Sequence, residues 1–318
     1  MSDPLLATAK VVLALALVVL GVRYVRIAAV ANRPAPRVSF PQPVVAVVEK
    51  GIYATDPEKR IEAFRELERA ASEDPLRRQK FVDQVLAQLH YRMCGTPDWQ
   101  TRLWALVLPH LRPGDAGFWP GIDLRVERGV LKHVNLSGLQ VRHAVFERVR
   151  FVGDALFIRT VFTGDVTFEG SCFAKHVRFK EGEFRGAAGF DHVTFTGTAS
   201  FPGVTVAGPA SFHEARFSAL TDFTGTRFAG PFTAIHAGFA GRTWFRDAHF
   251  AARTRFAGAR FTGHADFAGS SFVDDPGLGC ALARTDWYAV RAWPAGWTLD
   301  AHERELPKRP GRWAELTR

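Results

Sequence analysis

Phenylalanine recurs along this chain at alternating steps of five and six residues, and no other feature constrains the fold as tightly. The series runs Phe146, Phe151, Phe157, Phe162, Phe168, Phe173, Phe179, Phe184, Phe190, Phe195, Phe201. It misses at Val206, resumes at Phe212, Phe217, Phe223 and Phe228, and misses again at Ala234. It then runs Phe239, Phe245, Phe250, Phe256, Phe261, Phe267 and Phe272. Of these 24 positions, 22 are Phe. No α-helix or flat strand has that period, whereas a stacked coil does. With 27 Phe against 4 Tyr, the aromatic content lacks polar tips and suits burial from every side. The 22 phenylalanines are the predicted structural core.

Two residues before each lattice position stands a small or β-branched residue, such as Ala155, Val166, Val177, Ala188, Ala199, Ala210 or Thr243. Positions two apart on an extended backbone share a side, so each unit sends one small and one large residue inward. At Phe232 and Ala234 the two sizes exchange places, which keeps inward volume while flipping its order. The residues between them face outward and are polar or variable, among them Arg150, Arg178, Arg216, Asp222 and Asp266. Glycines follow the second Phe of many pairs, at Gly153, Gly164, Gly186, Gly197, Gly208, Gly230, Gly241 and Gly263. The expectation there is a corner that needs positive φ.

Upstream the steps are all of five: Leu131, Leu136, Val141, Phe146, Phe151. Within them, Val134-Asn135-Leu136-Ser137-Gly138 resembles a unit of the pentapeptide repeat family: a small residue, Asn or Asp, Leu or Phe, then two variable positions. The resemblance implies a right-handed, four-sided β-helix with one repeat per side, the later units being similar to the family's Phe-type variants. The six-residue spacers depart from strict pentapeptides. Sides of five, six, five and six residues predict a quadrilateral β-helix of about 22 residues per coil. On that reading residues 129–273 make between six and seven coils. An eleven-residue, two-sided coil is the rival, and would leave too little interior for two Phe per coil.

The predicted organisation is a transmembrane or anchor helix over 1–31, a Pro-rich linker over 32–55 and a helical segment over 56–113. The β-helix follows over 121–273, then a Trp-rich C-terminal cap over 274–318. The N-terminus carries an uncharged apolar run, Val11–Val22, of twelve residues. That is short of the roughly 20 a span needs, unless it extends past Lys10 or past Arg23 and Arg26, whose long side chains can snorkel. A cleaved signal peptide ending near Ala29-Val30-Ala31 and a buried helix are the alternatives. As an anchor, Arg23, Arg26, Arg33 and Arg37 after the run place the C-terminal bulk in the cytoplasm; a cleaved leader would export it. Pro34, Pro36, Pro41 and Pro43 mark the linker. Asp56-Pro57, Asp74-Pro75 and Thr96-Pro97 are helix starts, with apolar faces Ile61/Phe64/Leu67/Ala71, Phe81/Val82/Val85/Leu86/Leu89 and Leu103/Val107/Leu111. This block is expected to cover the open end of the β-helix. At the other end Trp287, Trp293, Trp297 and Trp313 supply a cover, or an interfacial membrane contact together with Arg309 and Arg312. The order of anchor, helices and repeats is similar to that of membrane-anchored actinobacterial pentapeptide repeat proteins.

Chemistry-bearing constellations are few. Cys94, Cys172 and Cys280 make neither a disulfide framework nor a metal spacing. Eight of eleven His lie in the repeats. His192, Glu214 and His236 would share one column, but the two histidines would stand about 9.6 Å apart, too far for one ion. Arg216 and Arg260 share another, interrupted by Gly238, so there is no continuous basic stripe. Trp244 stands outward between Asp222 and Asp266. With no phosphate loop, no nucleophile–base arrangement and no paired carboxylates in a cleft, the sequence predicts no catalytic residues, cofactor or metal, and no small-molecule substrate.

The function expected is therefore non-enzymatic: a membrane-tethered scaffold presenting a rigid rod to an unknown protein partner. The family resemblance implies an alternative, because some members mimic DNA and bind type II topoisomerases. Mimicry of a polyanion needs an acidic surface, yet residues 121–272 hold 18 Lys and Arg against 13 Asp and Glu. The whole chain carries +9. A basic rod could instead touch anionic lipid or nucleic acid directly, with nucleic acid the less favoured partner.

Overall fold

The computed structural model describes residues 51–90, 98–307 and 309–318. The described residues belong to one unit, 46–318. The predicted anchor helix, most of the Pro-rich linker, Cys94 and the Thr96-Pro97 helix start lie outside the described residues. Among those described, no helix is long and apolar enough to cross a membrane.

From Leu124 the chain winds as a β-solenoid of about eight turns with about 22 residues per turn. Short strands stack into four sheets, three of seven strands and one of eleven. Pairing between turns is parallel: Ala188 pairs with Val166 on one side and Ala210 on the other, an offset of 22 residues each way. The first turn is tighter. Leu124 pairs with Ala144 and Val130 with Arg150, offsets of 20, which is what four five-residue sides produce. The offset passes through 21 at Gln140 and Val161 before settling at 22. The sheets also continue beyond the Phe lattice, because Leu282 pairs with Arg260 and Arg291 with Ala265.

Ring geometry decides between four sides and two. Phenylalanines 22 apart stack face to face: Phe190 on Phe168 at 5.2 Å and on Phe212 at 4.7 Å. Phe201 and Phe223 stack at 4.8 Å. Phenylalanines eleven apart meet edge-on instead, as Phe190 and Phe201 do at 5.6 Å and 86°. A two-sided coil would stack residues eleven apart, so the interior holds separate ring columns that touch edge to face. Both arrangements suit the aromatic quadrupole. Of the 22 lattice phenylalanines, 21 are buried, and Phe272, at the last turn, is half-buried. Phe232 fills the column that Ala234 leaves short, lying 5.7 Å from Phe212 and 5.3 Å from Phe256. Three polar residues in the small inward slots, Thr160, Ser171 and Thr226, donate to carbonyls of the preceding turn. Thr160 Oγ1 donates to Leu136 O at 2.7 Å and Ser171 Oγ to Phe146 O at 2.6 Å, which removes the cost of burying a hydroxyl.

The corner glycines correct the sequence reading. Of the eight, only Gly153 has positive φ. The rest mark close approach between turns. A Cβ on Gly208 or Gly230 would lie 2.3 Å from the carbonyl oxygen 22 residues earlier, and one on Gly241 2.3 Å from Ala219 O. Left-handed backbone occurs at the other corners, in the columns Arg148–Gly170–His192–Glu214–His236–Gly258–Cys280 and Arg159–Glu181–Gly203–Gly225–Asp247–Gly269.

Both ends of the solenoid are covered. Helices α1 (Pro57–Glu73), α2 (Arg78–Ala87) and α3 (Trp99–Val107) share one core cluster with the first turns. Asp56 caps α1 by accepting from Glu58 N at 2.9 Å. Asp74 opens a 3-10 turn, Pro75–Arg77, ahead of α2. Two glutamines then stand in for a missing strand. The Gln79 amide pairs with both N and O of Asp123, at 2.8 and 2.9 Å. Gln100 donates to Val130 O at 2.6 Å and accepts from Lys132 N at 2.9 Å. An open edge of paired donors and acceptors is thereby blunted. At the far end the strand Arg309–Thr317 runs antiparallel to Leu282–Arg284. Trp293 packs on Phe261 at 5.3 Å, and Trp313 is buried.

Candidate interaction surfaces

Among the described residues the interior of the solenoid is tightly filled. A void of about 10 Å³ lies where Val206 replaces Phe between Phe184 and Phe228, about the size of one water probe and lined by apolar groups. The charged side chains of the solenoid stand on the outward columns and the corners.

One outward column is acidic. Glu127 pairs in register with Glu147, and Glu169 and Asp191 follow at 22-residue steps. Burial, then the Glu127 and Glu169 carboxylates, push the Glu147 carboxyl above its ordinary range, against the opposing pull of Arg125 and Arg148. Asp191 accepts from His213 N at 2.9 Å and from the Ser211 hydroxyl, so it is committed to the turn that follows.

A second group surrounds Glu214. Its carboxylate faces His192 Nδ1 and His213 Nε2, each at 3.5 Å. The His213 ring lies 5.7 Å from His192 and 6.1 Å from His236. The sequence reading took the column His192–Glu214–His236 and missed His213, which is one residue from Glu214 and faces outward beside it. Adjacency in sequence was the available signal. His236 leans the other way, over Gly258. Among the described residues no group of His, Cys, Asp and Glu could hold a metal ion.

Other histidines complete backbone pairing at the bends. His143 Nδ1 accepts from Asp165 N at 3.0 Å, and His176 Nδ1 from Thr198 N at 3.2 Å. Asp165 in turn accepts from Ala187 N at 2.8 Å. Ala187 has no side-chain acceptor to offer, and the residue it would serve is Pro209, which has no N–H. These side chains are spoken for by the fold. Trp244, expected outward and exposed, is half-buried: Arg246 lies 5.3 Å over its ring and is paired to Asp266 at 2.5 Å.

The family comparison agrees with this geometry. Residues 137–182 and 183–227 match the family model for pentapeptide repeats (9 copies). This part of the solenoid is similar to pentapeptide repeats. Domains of such repeats are often protein-interaction modules, and their proteins are generally non-enzymatic. Among solved structures the chain is similar to HetL, a pentapeptide repeat protein involved in heterocyst differentiation regulation from the cyanobacterium Nostoc sp. strain PCC 7120. The two share 14% identity over 50% of this chain and 88% of that one, with a TM-score of 0.20. No curated protein matches the chain in sequence.

Beyond the pentapeptide-repeat turns, the C-terminal segment divides its aromatics. Trp293, Trp297 and Trp313 pack inward, while Trp287 and Tyr288 are 59% and 85% exposed beside exposed Val290. Cys172 is half-buried and Cys280 exposed, both as free thiols. Hydrogen bonding to Glu315 and its charge push the Cys280 thiol up, away from the reactive thiolate.

Proposed function

We propose that this protein is a non-enzymatic, membrane-tethered scaffold whose pentapeptide-repeat rod presents flat faces to a protein partner. The observation that carries the reading is the distribution of chemistry. Phenylalanine fills the interior, both ends are covered, and the charged residues of the solenoid stand on the outward columns and corners. A solid rod of stacked parallel strands holds those columns about 4.8 Å apart per turn, a fixed spacing that a partner can read. The apolar run Val11–Val22 with the following arginines supports the tether and a cytoplasmic rod.

The test is a pull-down of the tagged full-length protein from native membranes, with a C-terminal reporter of topology in parallel. A stoichiometric protein partner together with a cytoplasmic reporter is the expected outcome. Recovery from the soluble extracellular fraction, or an exported reporter, would overturn the tether. Absence of any protein partner would overturn the scaffold.

A further inference from the structure

We propose that Arg216 and Arg260 form an anion site over Gly238 that takes a phosphate group. The inference is independent of the scaffold reading. Register places Arg216, Gly238 and Arg260 on three successive strands of one face. The central position has no side chain, so the two guanidiniums flank a gap rather than a stripe. Arg260 Nη2 donates to His236 O at 3.0 Å and would stand 3.9 Å from a Cβ on Gly238. Its guanidinium therefore reaches across the gap with donors left over. Two residues further along the same strands stand Ser218, Ala240 and Thr262, so the gap continues as a notch with a hydroxyl on either side.

The charges here are not neutralised within the protein. Among the described residues, neither Arg216 nor Arg260 takes part in an ion pair, whereas Arg246, Arg284 and Arg304 each meet a carboxylate. Burial and the positive charges of Arg309 and Arg216 weaken the hold of Arg260 on its proton. The carboxylate that opposes this effect, Glu214, is the one facing His192 and His213. Like charges gathered around an empty backbone position are stabilised by an anion that accepts from more than one of them. A phosphate oxyanion, with several acceptor oxygens, suits two guanidinium forks better than a single carboxylate does.

The test uses the full-length protein with two probes: inorganic phosphate, and vesicles of phosphatidylcholine containing phosphatidic acid. R216Q and R260Q are compared with R178Q, which removes one exposed arginine from a different face. Saturable phosphate binding that weakens about tenfold or more in R216Q and R260Q, but not in R178Q, is expected for a free phosphate. Binding to the vesicles alone with the same dependence on the two arginines supports the site with a lipid headgroup as its source. Binding of neither probe overturns the proposal. So does an equal loss in R178Q, which would make net charge the cause.

Discussion

Two kinds of corner turn the same coil, and they demand opposite things of the side chain. At Gly186, Gly208, Gly230, Gly241 and Gly263 the backbone lies against the turn before it, so any Cβ meets a carbonyl. At the left-handed corners the conformation disfavours side chains, yet no backbone of the turn before presses on a Cβ, which is crowded at most by a neighbouring side chain. Gly225 has nothing within 4 Å of a Cβ, and Arg148, Arg159, Glu181, His192, Glu214, His236 and Asp247 all occupy such positions. Local strain of about 1–2 kcal/mol per residue is tolerated repeatedly, whereas a backbone clash is avoided at every turn where Gly stands. Packing between turns therefore constrains this rod more than backbone preference does. Chemical variety accumulates at the strained corners and on the outward columns, and the glycine corners stay blank.

The interior sets the scale against which either corner is judged. Phe190 stacks on Phe168 and Phe212 and meets Phe179 and Phe201 edge-on. Phe190→Ala should lower stability by about 3–5 kcal/mol in denaturant unfolding. A loss no larger than that of a corner substitution would break the ranking.

A smaller effect probes the carboxylate column beside the left-handed Arg148. Glu147 is held above the ordinary glutamate range by burial and by its neighbours Glu127 and Glu169. The folded state thus keeps its proton to higher pH than the unfolded chain does, and stability falls as pH rises through that window. Glu147→Gln should flatten this decline and raise the unfolding midpoint at neutral pH. The gain should disappear below the ordinary glutamate range, where both states are protonated. A gain of equal size at every pH would assign the effect to packing rather than charge.

The period of Phe in the sequence specified the coil. Four five-residue steps from Leu131 to Phe151 correspond to the 20-residue first turn, and the five–six alternation to the 22-residue turns after it. The turn count was not legible, because Leu124–Glu127 and the strands at 282–284 and 291–292 join the sheets without Phe. Covered ends relax the need for large rings there. The glycines were visible but their reason was not. Positive φ and close approach both select Gly, and only the register between turns tells them apart. For the surfaces, a 22-residue column links His192 to Glu214 and His236 but skips His213, since neighbours across a face include the next residue around the coil. The partners of Trp244 and the unpaired state of Arg216 depend on side-chain conformation, which periodicity does not encode.

The most direct test of the account compares Gly230→Ala with Gly225→Ala by their unfolding midpoints in denaturant. Gly230 has ordinary φ and a blocked Cβ site, while Gly225 has φ of +63° and an open one. The account predicts a loss of about 3 kcal/mol at Gly230, toward the upper range for forced overpacking. At Gly225 it predicts about 1 kcal/mol, left-handed strain partly offset by the lower entropy of the unfolded chain. The reverse order would contradict it, because the turns would then not press together as the 22-residue, four-sided stack requires.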